Sequence, residues 1–390
     1  MKEQETLVAD RNDITVADHR MSAEVLWALG NMNGASLSPD KSKILYGVSY
    51  ANVKANKSNR ELFIINIDGT DNRRLTTTNA SEQAASWLPD GKSIAFISSE
   101  SGTPQVYVMD IDKGNKRQIT DVADGIEDFM FSPDGKYLLF ISTVQNGPTT
   151  KDIYPDLDKS EGRIITDLMY RHWDEWVDRI PHPFLASYDG TKIGTAQDLL
   201  EGTLFESPMR PWGGIEQLAF APDSKKIAYT CRKKTGKEYS LSTDSDIYLY
   251  DIESGATTNL CKLNPDDPNE GYDINPLFSP DGKYIAWQSM ERDGYESDKN
   301  RLYVMNLVSK EKHDLFADFD QSVEHMVWNN SSDGLYFTST QHGTCQAYEL
   351  TNIANPKIRK ITEGVHDYAW IDQIGDTHLV GLRHSMSAPN

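Results

Sequence analysis

FSPDGKYLLFIS, residues 131–142, is the stretch on which the fold turns. An apolar residue leads into Ser-Pro-Asp-Gly, and an alternating apolar strand leads out. Pro presets φ at the first turn position, Asp tolerates the second, and a small or charged residue follows, so the segment is a hairpin written by turn chemistry. The same sentence recurs as SLSPDKSKILYG (36–47), SWLPDGKSIAFIS (86–98), FAPDSKKIAYT (220–230) and FSPDGKYIAWQS (278–289), with a degraded sixth copy, VWNNSSDGLYFTS, at 327–339. A second hairpin alternates with it: ELFIINIDGTDNRRLT (61–76), QVYVMDIDKGNKRQIT (105–120), DIYLYDIESGATTNL (246–260), RLYVMNLVSKEKHDLF (301–316) and AYELTNIANPKIRKIT (347–362). Three of these five copies end in Leu-Thr or Ile-Thr. Together the two hairpins make one four-stranded antiparallel unit.

The turn prolines Pro39, Pro89, Pro133, Pro222 and Pro280 are spaced by 50, 44, 89 and 58 residues. Periods of this size with four strands per repeat are the signature of propeller blades. The 89-residue interval holds no second Pro-Asp turn and reads as one blade, whose outer hairpin is HPFLASYDGTKIGTAQDLL (182–200) and which carries an insertion over about 146–179. A shorter insertion, KKTGKEYSLSTDSD, lengthens the fourth blade. HDYAWIDQIGDTHLVGLRH (366–384) begins a seventh. The expected fold is therefore all-β, a seven-bladed β-propeller over 35–390 with six complete blades and a last one that has only its inner strands. A segment over 1–34 precedes it, with a short helix predicted from Val25, Leu26 and Leu29 at helical spacing and Ser22 as N-cap.

Composition bounds the chemistry. The chain has 390 residues, 38% of them hydrophobic, and a net charge of −20, which repels phosphate backbones and anionic lipid, so no nucleic acid or membrane partner is expected. No apolar run approaches a membrane span. MKEQETLVADRN lacks the basic and apolar regions of a signal peptide. Cys231, Cys261 and Cys345 are odd in number and read as buried or incidental thiols. There is no G-x-S-x-G, H-E-x-x-H, C-x-x-C, Walker or dinucleotide-binding motif, so neither catalytic residues, a metal nor a cofactor is expected in this chain. The histidines, His172, His182, His325, His366 and His384 among them, lie beside no nucleophile motif. Asp68–Asp71 and Asp266–Asp267 lack the ligand spacing of a calcium loop and read as polar turns.

The insertion stands apart. KDIYPDLDKSEGRIITDLMYRHWDEWVDRIPHPF (151–184) is dense in aromatics and carboxylates where a blade needs neither, and long loops on rigid scaffolds hold function. Asp174 and Glu175 sit between Trp173 and Trp176, with Arg171 and His172 just before. Two carboxylates framed by indoles suit a free ammonium group. The competing reading is that the tryptophans pack the loop on the propeller while the acids face water or pair with Arg171 and Arg179. On residue pattern alone that reading is favoured.

These runs, with KKTGKEYSLSTDSDIYLYD and SMERDGYESD, resemble the propeller of bacterial dipeptidyl peptidases of the prolyl oligopeptidase family, over the whole chain. The resemblance implies a substrate-gating propeller followed by an α/β-hydrolase domain that carries the catalytic Ser, Asp and His, in an exported, periplasmic or secreted enzyme releasing dipeptides from oligopeptide N-termini. It implies short peptides with a free N-terminus and the protein's own hydrolase domain as partners, with a homodimer as a further assembly. Carried over, the amine-binding role of the family's acidic pair falls on Asp174 and Glu175. The alternative is a stand-alone periplasmic propeller that binds a protein or peptide as a scaffold.

Overall fold

The computed structural model describes residues 7–11, 14, 16, 20–157, 159–264, 270–376 and 378–387. The Asp266–Asp267 turn lies outside them. Helix α1, Ala23–Ala28, comes first, and the side chain of Ser22 caps it by accepting from Val25 N. Its apolar residues face solvent rather than a core, since Leu26 and Leu29 are both exposed.

Six four-stranded sheets follow in sequence order. Blade 1 is Asn31–Leu37, Lys43–Asn52, Lys57–Asn66 and Arg73–Arg74, and blade 2 is Gln83–Trp87, Ser93–Ser98, Gln105–Asp110 and Lys116–Gln118. Blade 3 is Asp128–Phe131, Tyr137–Gln145, Arg179–Ser187 and Gln197–Asp198; blade 4 is Leu218–Phe220, Lys226–Cys231, Asp246–Asp251 and Thr257–Asn259. Blade 5 is Tyr272–Phe278, Tyr284–Met290, Arg301–Asn306 and Lys312–Asp314, and blade 6 is Met326–Trp328, Gly334–Gln341, Thr344–Thr351 and Lys357–Lys360. The expected seven blades are thus corrected to six. Residues from His366 onward carry the first hairpin motif of the repeat without the second, and they form only a two-stranded sheet, Asp367–Ile374 with His378–His384.

The chain divides into two compact units, Met1–Phe131 with Tyr188–Gly194 and His384–Asn390, and Ser132–Ser187 with Thr195–Arg383. In the first, Leu45, Leu62, Ile94 and Phe96 are fully buried in one core shared by blades 1 and 2. In the second, Ile247, Ile285 and Trp287 join blades 4 and 5, while Leu302, Phe316 and Phe337 join blades 5 and 6. Each is the inward half of an alternating strand, which is how period-two apolar patterning becomes a seam between sheets.

The Pro-Asp turn closes by one device. Asp40, Asp134 and Asp281 accept from the hydroxyls of Ser38, Ser132 and Ser279 at 2.6–2.7 Å and from the backbone N–H two residues on at 3.0 Å. These bonds, the one from Ser38 foremost, hold the Asp40 carboxyl down at about 2. The residue after Asp is left-handed: Gly91, Gly135 and Gly282, but also Lys41 and Ser224, have φ between 61° and 70°, which explains the preference for glycine there. Where serine stands instead it does a second job. The hydroxyls of Ser224 and Ser332 accept from Asp134 N and Asp281 N of the preceding blade's turn, at 3.1 Å each.

The Leu-Thr and Ile-Thr endings are clamps. Thr76, Thr120 and Thr362 accept from the third-strand N–H of Leu62, Val106 and Ala347 and donate to the side chains of Glu61, Gln105 and Gln346, all at 2.7–2.9 Å. A hydroxyl that both donates and accepts satisfies the buried edge of the fourth strand.

Candidate functional site at three long connections

The connections between second and third strands are long in blades 3, 4 and 5, and in the second unit they meet. In blade 3 the connection carries α2, Thr150–Ile153, closed by a capping box between Thr149 and Asp152. In blade 4 it carries α3, Gly236–Leu241. Gly236 has φ +57° and lies so close to the Asp167 carboxylate of the blade 3 connection that a Cβ would collide with it. The blade 4 connection in turn grips that of blade 5: Asp293 Oδ1 accepts from Ser242 Oγ at 2.8 Å and from the backbone N–H of Thr243 and Asp244 at 2.6 and 3.1 Å, and Gly294 N donates to Thr243 Oγ1 at 2.7 Å. The two family-like runs 233–246 and 289–298 are thereby explained as one packed surface.

Beneath it lies a buried carboxyl that sequence reading missed. Glu206 accepts from the Tyr239 hydroxyl, and Arg232 stacks over the Tyr239 ring, 4.5 Å from its centroid. Burial raises the Glu206 carboxyl above the usual range. Nothing local in the sequence ties Glu206 to a tyrosine thirty-three residues later.

At the tip of the blade 3 connection Arg171–His172 pairs with Glu175–Trp176 in a two-stranded hairpin of its own. Trp173 and Asp174 make the turn. Trp173 has φ +51°, a costly conformation for a bulky residue, and it is fixed from two sides. Arg171 Nε donates to the Trp173 carbonyl at 3.0 Å, and the Trp212 ring meets Trp173 edge-on at 5.0 Å. Even so Trp173 and Trp212 are 67% and 76% exposed. Trp176 is overlaid by the guanidinium groups of Arg163 and Arg171, at 4.4 and 5.2 Å.

The arginines that could neutralise the acidic pair are engaged elsewhere. Arg163 pairs with Asp178 at 2.7 Å, Arg171 donates to backbone carbonyls, and Arg179 bonds Thr143. Among the described residues the carboxylates of Asp174 and Glu175 have no hydrogen-bond or ion-pair partner, and both are exposed. All five of the expected residues, Arg171, Trp173, Asp174, Glu175 and Trp176, fall within this hairpin; Arg163 and Trp212 complete its aromatic and cationic frame from positions that no local pattern connects to it.

A family model described as the TolB beta propeller domain matches residues 8–176. Dipeptidyl-peptidase 5 of Porphyromonas gingivalis is 46% identical over 96% of this chain and 54% of its own length, and that of Porphyromonas endodontalis is 44% identical over 95% and 52%. The chain therefore spans about half the length of the curated relatives it matches. Among solved structures, a Pyrococcus horikoshii acylaminoacyl peptidase superposes with a TM-score of 0.66 at 17% identity, covering 93% of this chain and 50% of that one. The β-propeller domain of the Trilobed protease from Pyrococcus furiosus gives 0.57 at 15% identity, covering 92% and 93%. At such identities the superpositions speak for the fold alone, a β-propeller, whereas the sequence match, over nearly all of this chain and about half of each relative, makes the chain a homologue of the Porphyromonas dipeptidyl-peptidase 5 proteins.

Proposed function

We propose that this propeller gates substrate access in a serine peptidase that releases dipeptides from oligopeptide N-termini, with the nucleophile supplied from outside these 390 residues. The observation that carries the reading is the 46% identity to the Porphyromonas gingivalis dipeptidyl-peptidase 5 over nearly the whole chain. In this reading Asp174 and Glu175 hold the substrate's free ammonium group by charge-assisted hydrogen bonds, and Trp173 and Trp176 supply the apolar frame. Fixing the amine fixes the register, so cleavage falls after the second residue and N-blocked peptides are rejected. The enzyme works in the periplasm or outside the cell.

The test uses the full-length protein. Glu175→Gln and Asp174→Asn are expected to lower kcat/KM on free dipeptidyl substrates by roughly ten- to hundred-fold, the size of a lost hydrogen bond to a charged group, and to leave N-acetylated peptides as poor as before. Unchanged discrimination between the two substrate types would remove the pair from the site. The 390-residue chain by itself is expected to hydrolyse neither, and hydrolysis blocked by a serine-directed inhibitor would overturn that. A second reading, a periplasmic scaffold, draws on the family match described as a TolB propeller. Sequence beyond residue 390 separates them: a G-x-S-x-G pentapeptide supports the peptidase, a stop codon the scaffold.

A further inference from the structure

The clamp of blade 4 departs from its siblings. Where Thr76, Thr120 and Thr362 accept from a third-strand N–H, Cys261 takes the place: Ile247 N points at its sulfur, 3.3 Å away. Where Glu61, Gln105 and Gln346 receive the threonine hydroxyl, Asp246 stands. A third group arrives from the next blade. Asp273 N donates to Ser245 O, the position at which Ile126 N donates to Pro104 O and Val323 N to Asn300 O. Two sibling seams thus hold an aliphatic side chain at this position, and the seam of blades 1 and 2 holds Glu82, whose N–H donates to Arg60 O; among the described residues the blade 4–5 seam alone combines a carboxylate here with a thiol in the clamp. The result is a thiol and two carboxylates whose donor atoms all lie within 4.8 Å of one another, in residues that are 6%, 2% and 3% exposed at Asp246, Cys261 and Asp273.

The charges around this cluster do not balance. Asp244, Asp246 and Asp273 face Lys234 and Lys262, with Lys262 bonded to Asp244 at 2.8 Å and to Asp246 at 3.4 Å, and Lys234 to Asp244 at 3.3 Å. Among the described residues no lysine or arginine pairs with Asp273. Its carboxylate accepts from the Trp287 indole N–H at 2.8 Å. Asp246 Oδ2 accepts from Asn259, Tyr248 and Lys262, but its Oδ1 is buried with no hydrogen-bond partner. A buried carboxylate oxygen without a donor and an uncompensated buried acid are both expensive, and one divalent cation would relieve both.

From this we infer that the seam of blades 4 and 5 is a structural zinc site in which Asp246, Cys261 and Asp273 are the ligands. Zinc suits the donor set, a thiolate with two carboxylates, and a water completes the tetrahedron. The donors close in by about an ångström to reach zinc–ligand distances. On binding, the thiol proton leaves to solvent, and Trp287 remains as the outer partner that orients Asp273. Because two ligands come from blade 4 and the third from blade 5, the ion ties one sheet to the next at the place where the sibling blades rely on hydroxyl bonds. Ligand spacing of fifteen and twelve residues across a blade boundary follows no motif, which is why sequence inspection gives no hint of it.

The experiment measures metal content of the full, tag-free chain by mass spectrometry after incubation with zinc and exhaustive dialysis. About one zinc per chain is expected for the wild type, and less than a tenth of that for Cys261→Thr, which installs the threonine of the sibling blades and so preserves the clamp and the fold. Cobalt substituted into the wild type should show sulfur-to-cobalt charge-transfer absorption that Cys261→Thr lacks. Equal zinc in the two proteins, or none in either, overturns the site, as does cobalt bound without a sulfur band; Cys261 is then a buried acceptor for Ile247 N–H and nothing more. Should Cys261→Thr lose its circular dichroism, Asp273→Asn with the same readouts decides the matter.

Discussion

The first hairpin of blade 5 and the hairpin at the tip of the blade 3 connection are both short antiparallel pairs joined by a tight polar turn, and they use their side chains in opposite ways. In blade 5, Phe278, Ile285 and Trp287 are buried, the turn is closed by Ser279 and Asp281, and even the indole N–H of Trp287 is spent on Asp273. At the tip, Trp173 and Trp176 stay exposed, the turn residue is held left-handed, and two carboxylates are left without partners. Local β geometry is the same; what differs is whether the side chains are consumed by the fold. A surface that withholds indoles and acids from the core has them available for a ligand.

That contrast is exposed to test at several points. Phe337, fully buried against Phe316 at 4.8 Å and Tyr348 at 5.3 Å, belongs to the consumed kind, and Phe337→Ala is expected to cost about 3–5 kcal/mol in urea unfolding. A loss below about 1 kcal/mol would mean that the blade 6 core is not the continuous packing described. Thr120→Val keeps the volume of a clamp and removes its hydroxyl, leaving the buried Val106 N–H unsatisfied while Gln105 keeps its bonds to the Val122 backbone; thermal or urea unfolding should register about 1–3 kcal/mol. Glu175→Gln belongs to the withheld kind, and its unfolding free energy should stay within about 0.5 kcal/mol of wild type, whatever it does to substrate selection. A destabilisation as large as that of Thr120→Val would show the tip to be a packing element after all.

The smallest effect concerns Glu206. Burial raises its folded-state carboxyl, so the folded state favours the protonated form; stability is greatest below the unfolded value, near 4.5, and falls as pH rises from there through the folded value. Glu206→Gln keeps a partner for the Tyr239 hydroxyl and should flatten the decline of the melting temperature as pH rises above the ordinary glutamate range. An undiminished slope would place the titrating group elsewhere.

The blades were legible because turn chemistry and period-two patterning are local: Pro39, Pro89, Pro133, Pro222 and Pro280 mark turns that form with the predicted strands on either side. The Leu-Thr ending was visible as a pattern without its reason, since the clamp joins Thr120 to Gln105 across a hairpin. The missing second hairpin after His366 was legible as well, and the two-stranded sheet formed there does not make a seventh blade. At the site the residues of the tip were legible as a cluster of unusual composition, while Arg163 and Trp212 were not, because what brings them to Trp176 and Trp173 is the path of the connection. Glu206 with Tyr239, and Asp273 with Cys261, were hidden for the same reason: each pair joins segments far apart in the chain, Tyr239 standing on α3 and Cys261 just past the last strand of blade 4.

Blade 3 differs from its neighbours in one further respect. Its second and third strands pair along nine residues, from Tyr137 opposite Ser187 to Gln145 opposite Arg179, but everything from 146 to 178 must be looped out before the first of those bonds can form. In blade 1 the equivalent strands are joined by residues 53–56. An eightfold longer loop adds roughly 2 kcal/mol of closure entropy ahead of any reward, so the search for this pairing is slower than for the hairpins on either side. During synthesis, then, blades 1 and 2 are complete while the second strand of blade 3 waits with an open edge. The segment proposed to meet the substrate's amine is thus also the one whose closure costs its blade the most chain entropy.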